Sequence, residues 1–341
     1  MKRFAGVDHL SLDQRKFDPS PEEIEGICRY FSIGNLRYFK KEKGIIVSHS
    51  NDFVFVQTPQ GQYALKFYPS VAAKAITIEY AVNRLLLKHH FLTPRMYLGR
   101  GRKPFVAGNN RLAACYDFID GKPAWQSIRQ AATVRQINTS LLSIKNILSA
   151  GLVQLPLLKQ PNLLSRARDL TRNSRALGEY DQKKLIESSL RQACKFYAQY
   201  KSLFTRQKLH NNASLTNFII HQKTAYMLDL SHIREDYTLS DLASLVISCL
   251  FFNIPAPTVK IITRDHFNRH QAGPAYFPVL ATLVRVGLIT EYLKNIQRER
   301  SLDPSAYPPG LVRAYTTQLS KRERSIISVL KKMNHNPGLL V

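Results

Sequence analysis

Cysteine is scarce in these 341 residues, and the four that occur (Cys28, Cys115, Cys194 and Cys249) lie far apart with no CxxC pair. That spacing suggests neither a zinc site nor a disulfide framework. A reducing cytoplasm fits such cysteine usage best. Long apolar runs are also missing. The opening MKRFAGVDHLSLDQRK has no apolar core of the kind a secretory signal carries, and the most apolar later windows are short or interrupted, Arg285 falling inside one of them. A soluble, unsecreted protein is the expectation. Acidic residues are few: 24 Asp and Glu stand against 49 Lys and Arg, a formal net charge of +25. This excess creates a positive potential over much of the surface, so an anionic partner is expected, whether nucleic acid, an anionic membrane, a phosphorylated sugar or a nucleotide. No specific nucleic-acid motif accompanies the charge. Internal repeats and low-complexity tracts are absent as well.

What is present is ordinary core material. Hydrophobic residues make up 44% of the chain and charged residues 21%, with 17 Phe and 16 Tyr, which describes a folded protein rather than a disordered one. Single cores stop growing at about 250–300 residues, so the length implies at least two subdomains.

Ser20-Pro21-Glu22-Glu23 supplies an N-cap, a proline at the first helical position and early acids, and a helix is expected from there to Gly34. Four β-rich segments follow, Leu36–Phe39, Gly44–Ser48, Phe53–Thr58 and Tyr63–Tyr68, with Pro59-Gln60-Gly61 as a turn between the last two. They read as an antiparallel meander. Ala72–Phe91 has helical spacing, and two short strands, Met96–Leu98 and Leu112–Phe118, flank a basic loop. Ile119 to Pro123 breaks the pattern. Beyond it helices are expected over Trp125–Ala150, Asn162–Arg206, Asp241–Phe252, Arg264–Gln271, Pro278–Lys294 and Leu311–Lys332, separated by prolines.

The stretch Leu209–Asp229, LHNNASLTNFIIHQKTAYMLD, places His210, Asn217 and Asp229 around two apolar runs. As a loop and hairpin it would let Asn217 and Asp229 converge on a divalent ion, although Asn and Asp also favour plain turns. Lys66, flanked by apolar residues in a strand, either serves an anion such as the ATP phosphates or sits on a solvated face. Glu79 in the following helix is placed to pair with it or to lie on the surface. Gly44–Asn51 lacks a GxGxxG pattern, yet the backbone of small polar residues such as Ser48 and Asn51 can still cradle phosphate; an ordinary hairpin is the equal alternative.

A strand-rich first part with one helix, a linker and a helical second part holding a polar loop follows the two-lobed, α+β, protein-kinase-like plan. Together these residues resemble the aminoglycoside phosphotransferase and choline kinase-like family, including its homoserine kinase type II and spore-coat branches, over roughly Phe39 to Lys294. Where that family has HGDxxxxN, an acidic strand residue and a DLA-type turn, this chain has His210-Asn211-Asn212 through Asn217, then Met227-Leu228-Asp229, then Ser240-Asp241-Leu242-Ala243. The polar stretch up to Ser20 and the break at Ile119–Pro123 divide the chain into an expected flexible segment 1–20, a first lobe 21–119 and a helical lobe 120–341. The resemblance makes the first lobe nucleotide-binding and the segment 209–230 catalytic-loop-like. It further implies ATP and Mg²⁺ as cofactors. Asn217 and Asp229 would hold the metal, Lys66 the phosphates with Glu79 positioning it, and Asp241 would brace the loop; His210 would be structural.

One residue departs from the family. The aspartate that takes or orients the acceptor's hydroxyl proton falls on Asn212, and a neutral amide is no base near pH 7. The resulting expectation is a protein that binds ATP and Mg²⁺ and is catalytically impaired or divergent. The alternatives are an active phosphotransferase on an unknown small hydroxyl or amine acceptor, with Ser214, His210 or Asp229 taking the proton, and a non-catalytic basic scaffold. Arg168, Arg172 and Arg175 share one helical face, and Lys321 to Lys332 form a basic amphipathic helix. Both are solvated faces or sites for an anionic macromolecule or membrane surface.

Overall fold

The computed structural model describes residues 19–41, 52–108, 111–150, 161–176, 182–270, 273–301 and 309–335. The expected strand Gly44–Ser48 and the loop with Ser48 and Asn51 lie outside them. Two compact units are present. The first comprises the described residues up to Tyr80, Arg95–Phe118 and the start of the last helix up to Arg313; the second comprises Ala81–Pro94, the described residues from Ile119 to Ser301, and that helix from Ala314.

In the first unit α1 (Pro21–Tyr30) starts as its capping signals dictate, with Ser20 Oγ accepting from the Glu23 N–H at 3.2 Å. It buries Ile24, Ile27 and Cys28, one stripe at helical spacing. Strands β1 (Tyr38–Lys41), β2 (Asp52–Thr58) and β3 (Gly61–Pro69) run antiparallel, α2 (Ala73–Lys88) follows, and β4 (Val106–Gly108) and β5 (Arg111–Asp117) complete a sheet of order β1-β2-β3-β5-β4. Strand alternation divides its two faces. Tyr63, Leu65 and Phe67 pack with Val54, Val56, Ala113, Cys115 and the α1 stripe, whereas Tyr68 packs with Leu112, Ala114, Met96 and Ile76 of α2. Lys66 therefore shares the α2 face with Tyr68.

The second unit takes up α2 from Ala81 and continues with β6 (Lys122–Pro123), α3 (Ala131–Ser149), α4 (Leu163–Ala176) and α5 (Lys183–Gln199). Then come β7 (Arg206–Leu209), β8 (Phe218–His221), β9 (Thr224–Met227) and β10 (Arg234–Tyr237), followed by α6 (Ser240–Phe251), α7 (Ala256–His270), α8 (Phe277–Ser301) and α9 (Pro309–His335). β8 pairs with β6 and β9, and β7 pairs with β10. Helix α6 is the interior element: Leu242, Leu245, Val246 and Cys249 are buried around its circumference. α3 packs on β7, β9 and α7, while α8 packs on α5 and α6. Among the described residues no helix is long and apolar enough to cross a membrane.

The expected α+β, kinase-like class holds, with differences at element ends. The helix expected at Trp125 begins at Ala131, after a 3-10 turn over Ala124–Gln126. Asn162–Arg206 is two helices followed by β7. The strands β7 (RQKL) and β10 (REDY) were not expected, because such short, largely charged stretches carry none of the β-branched residues that mark a strand. α7 starts eight residues earlier than expected: Pro257 lies in its first turn, where a missing N–H costs no intrahelical bond. The expected strand at Met96 is a single bridge to Tyr116, and the basic loop after it contributes β4.

Candidate active site

Lys66 is buried on β3, its side chain only 4% exposed, and faces Glu79 of α2, whose side chain is 2% exposed. Lys66 Nζ stands 3.7 Å from Glu79 Oε1. A lysine buried this far needs a counter-charge, because an isolated ammonium out of water is costly. Glu79 supplies it, which removes the solvated-face reading of both residues. The other carboxylate oxygen accepts from the Tyr68 hydroxyl at 2.8 Å.

In the second unit the segment after β7 is held from below by α6. Asp241, at the start of that helix, accepts the backbone N–H of His210 at 3.1 Å and of Asn211 at 2.5 Å. Complete burial pushes its carboxyl up to about 7, against the lowering effect of those two N–H groups. His210 is fully buried as well. Its Nε2 lies 2.9 Å from Leu228 O, and since a carbonyl only accepts, Nε2 carries the proton. Nδ1 then accepts from the Asn212 N–H at 3.3 Å. Burial pulls the imidazole down to about 4, so the ring is neutral and both nitrogens are occupied. It ties the loop to the strand end that carries Asp229, and it is no base.

Asn212, Asn217 and Asp229 come together at that junction. Asn217 Nδ2 donates to Asn212 O at 2.8 Å, the Leu228 N–H donates to Asn217 O at 2.8 Å, and Asn212 Nδ2 lies 3.4 Å from Asp229 Oδ2. Asn211 and Asp229 both take left-handed backbone, at φ 62° and 58°. Non-glycine residues accept such strain where the surroundings over-determine it, and it gathers at functional sites.

The donor set suits a hard divalent cation. With Nδ2 of Asn217 engaged, its side-chain oxygen is the end left to face a ligand. Among the described residues no group of three or more His, Cys, Asp or Glu could hold a metal. One carboxylate and one amide oxygen, completed by phosphate oxygens and water, is how Mg²⁺ is usually held in phosphate-transfer sites.

Several residues of this region carried no signal in the sequence. Ser231 Oγ donates to Asp229 Oδ1 at 2.8 Å, and His232 Nε2 lies 3.4 Å from Asp229 Oδ2. Ser248 of α6 accepts the Leu215 N–H at 2.9 Å and pairs with Ser214 Oγ at 3.0 Å, fixing the turn that ends in Asn217.

The fold is that of the kinase-like phosphotransferases. The chain belongs to the phosphotransferase enzyme family, whose model matches residues 43–275. Among solved structures it is similar to amicoumacin kinase hAmiN, determined with AMP-PNP, Ca²⁺ and Ami, at 13% identity over 94% of this chain and 96% of that one, with a TM-score of 0.66. It is also similar to spectinomycin phosphotransferase APH(9)-Ia with ADP and spectinomycin (11% identity, 92% and 98% covered, TM-score 0.62). Choline kinase from Cryptosporidium parvum matches at 15% identity over 94% and 98%, TM-score 0.60. At these identities the likeness is one of fold. No curated protein matches the chain.

Proposed function

We propose that this chain binds ATP with Mg²⁺ and is impaired in phosphoryl transfer. The observation that carries the reading is the surrounding of Asn212: the loop brace, the Asn217 amide and the Asp229 carboxylate are gathered around a side chain that cannot accept a proton. Lys66, held by Glu79, is the group for the nucleotide phosphates. Asn217 and Asp229 are the residues for Mg²⁺. Bound Mg²⁺ supplies neutralisation of phosphate charge, which together with positioning provides most of the catalysis in this class of reaction. Asp241 and His210 keep the loop in one conformation, so the metal pair is pre-organised without a ligand-driven rearrangement.

The missing step is proton acceptance. Losing a positioned general base typically lowers the rate about 10²–10⁴-fold, while binding groups are untouched. The family likeness supports a small-molecule acceptor bearing a hydroxyl or amine. Thermal unfolding in the presence of ATP, with and without Mg²⁺, tests the binding half directly: stabilisation is expected, larger with the metal. No stabilisation under either condition would remove the nucleotide from this account.

A further inference from the structure

Lys66, Glu79 and Tyr68 are 3%, 1% and 4% exposed, so their mutual contacts are made out of water. Glu79 divides its two oxygens between two partners, Oε1 toward Lys66 Nζ at 3.7 Å and Oε2 toward the Tyr68 hydroxyl at 2.8 Å. A charge-assisted hydrogen bond is about 2.7–2.9 Å long, so the ion pair by itself does not fix the angle of the carboxylate. The bond from Tyr68 does. The same tyrosine meets the lysine a second time, its ring centroid lying 4.7 Å from Nζ, within cation–π range. Its oxygen is in turn 2.7 Å from Tyr116 Oη on β5. A phenol has one proton, and Tyr68 gives its own to Glu79, so Tyr116 donates to Tyr68.

We infer that Tyr68 is a positioning residue for Lys66. It locks the Glu79 carboxylate through one oxygen so that the other faces the ammonium, and it supports that ammonium from below with its ring; Tyr116 anchors the phenol from the neighbouring strand. The role follows from local order as much as from distance. Residues 66 and 68 share one face of β3 because strand side chains alternate, and Glu79 lies on the α2 segment that covers this face. A tyrosine that served only as core filler would need no acid, and Leu112, Ala114, Met96 and Ile76 already give its ring an apolar bed. The functional consequence rests on the proposal that Lys66 contacts nucleotide phosphates.

The experiment uses the full chain with Tyr68→Phe, which keeps the ring and removes only the hydroxyl. ATP and adenosine are titrated in parallel, because a misplaced Lys66 affects phosphate-bearing ligands alone. Tyr68→Phe is expected to weaken ATP roughly tenfold, the scale of one hydrogen bond to a charged group, and to leave adenosine unchanged. In a Glu79→Gln background the same substitution should add less than about twofold, since the two residues act as one unit. ATP affinity within twofold of the wild type, or an equal loss for adenosine, overturns the inference. If the wild-type protein itself binds no ATP, the nucleotide reading fails separately. The positioning claim is then decided by ¹⁵N-lysine spectra of the ligand-free protein. Solvent exchange of the Lys66 ammonium protons should be several-fold faster in Tyr68→Phe, and an unchanged rate refutes it.

Discussion

Restoring the family aspartate should cost stability before it yields activity. Asn212 Nδ2 lies 3.4 Å from Asp229 Oδ2, so Asn212→Asp sets two carboxylates at that separation. Two like charges so placed repel by about 5 kcal/mol at an effective dielectric constant near 20 and by about 1 kcal/mol in bulk water. Asp229 is 19% exposed in its side chain, which puts the value between these limits. The amide's hydrogen bond is lost too, adding about 1 kcal/mol. The variant should therefore melt several degrees below the wild type in EDTA and recover in Mg²⁺, giving it a larger Mg²⁺ response than the parent. Thermal unfolding with and without metal reads the first effect. A coupled ATPase assay reads the second, an increase on the order of 10²–10⁴-fold if the missing base is the only lesion. Equal stability and an equal Mg²⁺ response in the two proteins would refute the adjacency on which the reasoning stands.

Other consequences are as direct. The His210 imidazole, held near 4 by burial against an ordinary 6.5, makes the unfolded chain the better proton acceptor between those values. Stability should fall as pH drops from about 6.5 to 4, by at most about 3 kcal/mol from this group. Asp241, raised to about 7, opposes the trend over the same window, because its folded form takes up the proton first. An NMR titration separates them, and a His210 midpoint near 6.5 would contradict its burial. Arg285 is wholly buried: Nη2 donates to Met333 O at 3.3 Å, and Nε and Nη1 have no hydrogen-bond partner among the described residues. Arg285→Met should match the wild type or exceed it by about 1–4 kcal/mol in denaturant unfolding, and a loss above about 2 kcal/mol would show that the charge is compensated. Ser248→Ala strands the Leu215 N–H, so a loss of about 1–3 kcal/mol and faster exchange of that amide are expected; unaltered exchange would contradict the brace.

The sequence was most legible where chemistry depends on local order. Ser20-Pro21-Glu22 announces α1, and the turn at Pro59-Gln60 announces the β2–β3 hairpin. His210, Asn217 and Asp229 stand out through their spacing, and the family resemblance adds Asp241. What escaped was whatever depends on contacts between distant parts of the chain. Ser248 reaches back 33 residues to Leu215, and a lone serine inside an apolar helix carries no such signal; the reach of Asp241 across 31 residues to His210 was implied only by the family resemblance. Nothing in the sequence singles out Tyr68, because a hydroxyl's partner is not written in its neighbours. The meeting of Asn212 with Asp229 was likewise invisible, and it makes Asn212 a neighbour of the carboxylate proposed to hold the metal.

The central claim is that nucleotide binding persists around a loop without its base. Isothermal titration of ATP into the wild type and Asp229→Ala, each with and without Mg²⁺, tests it most directly. Saturable binding by the wild type, strengthened by Mg²⁺, with the metal effect lost in the variant and turnover slow throughout, is the predicted result. Absence of ATP binding, or a Mg²⁺ effect that survives in Asp229→Ala, would contradict the account.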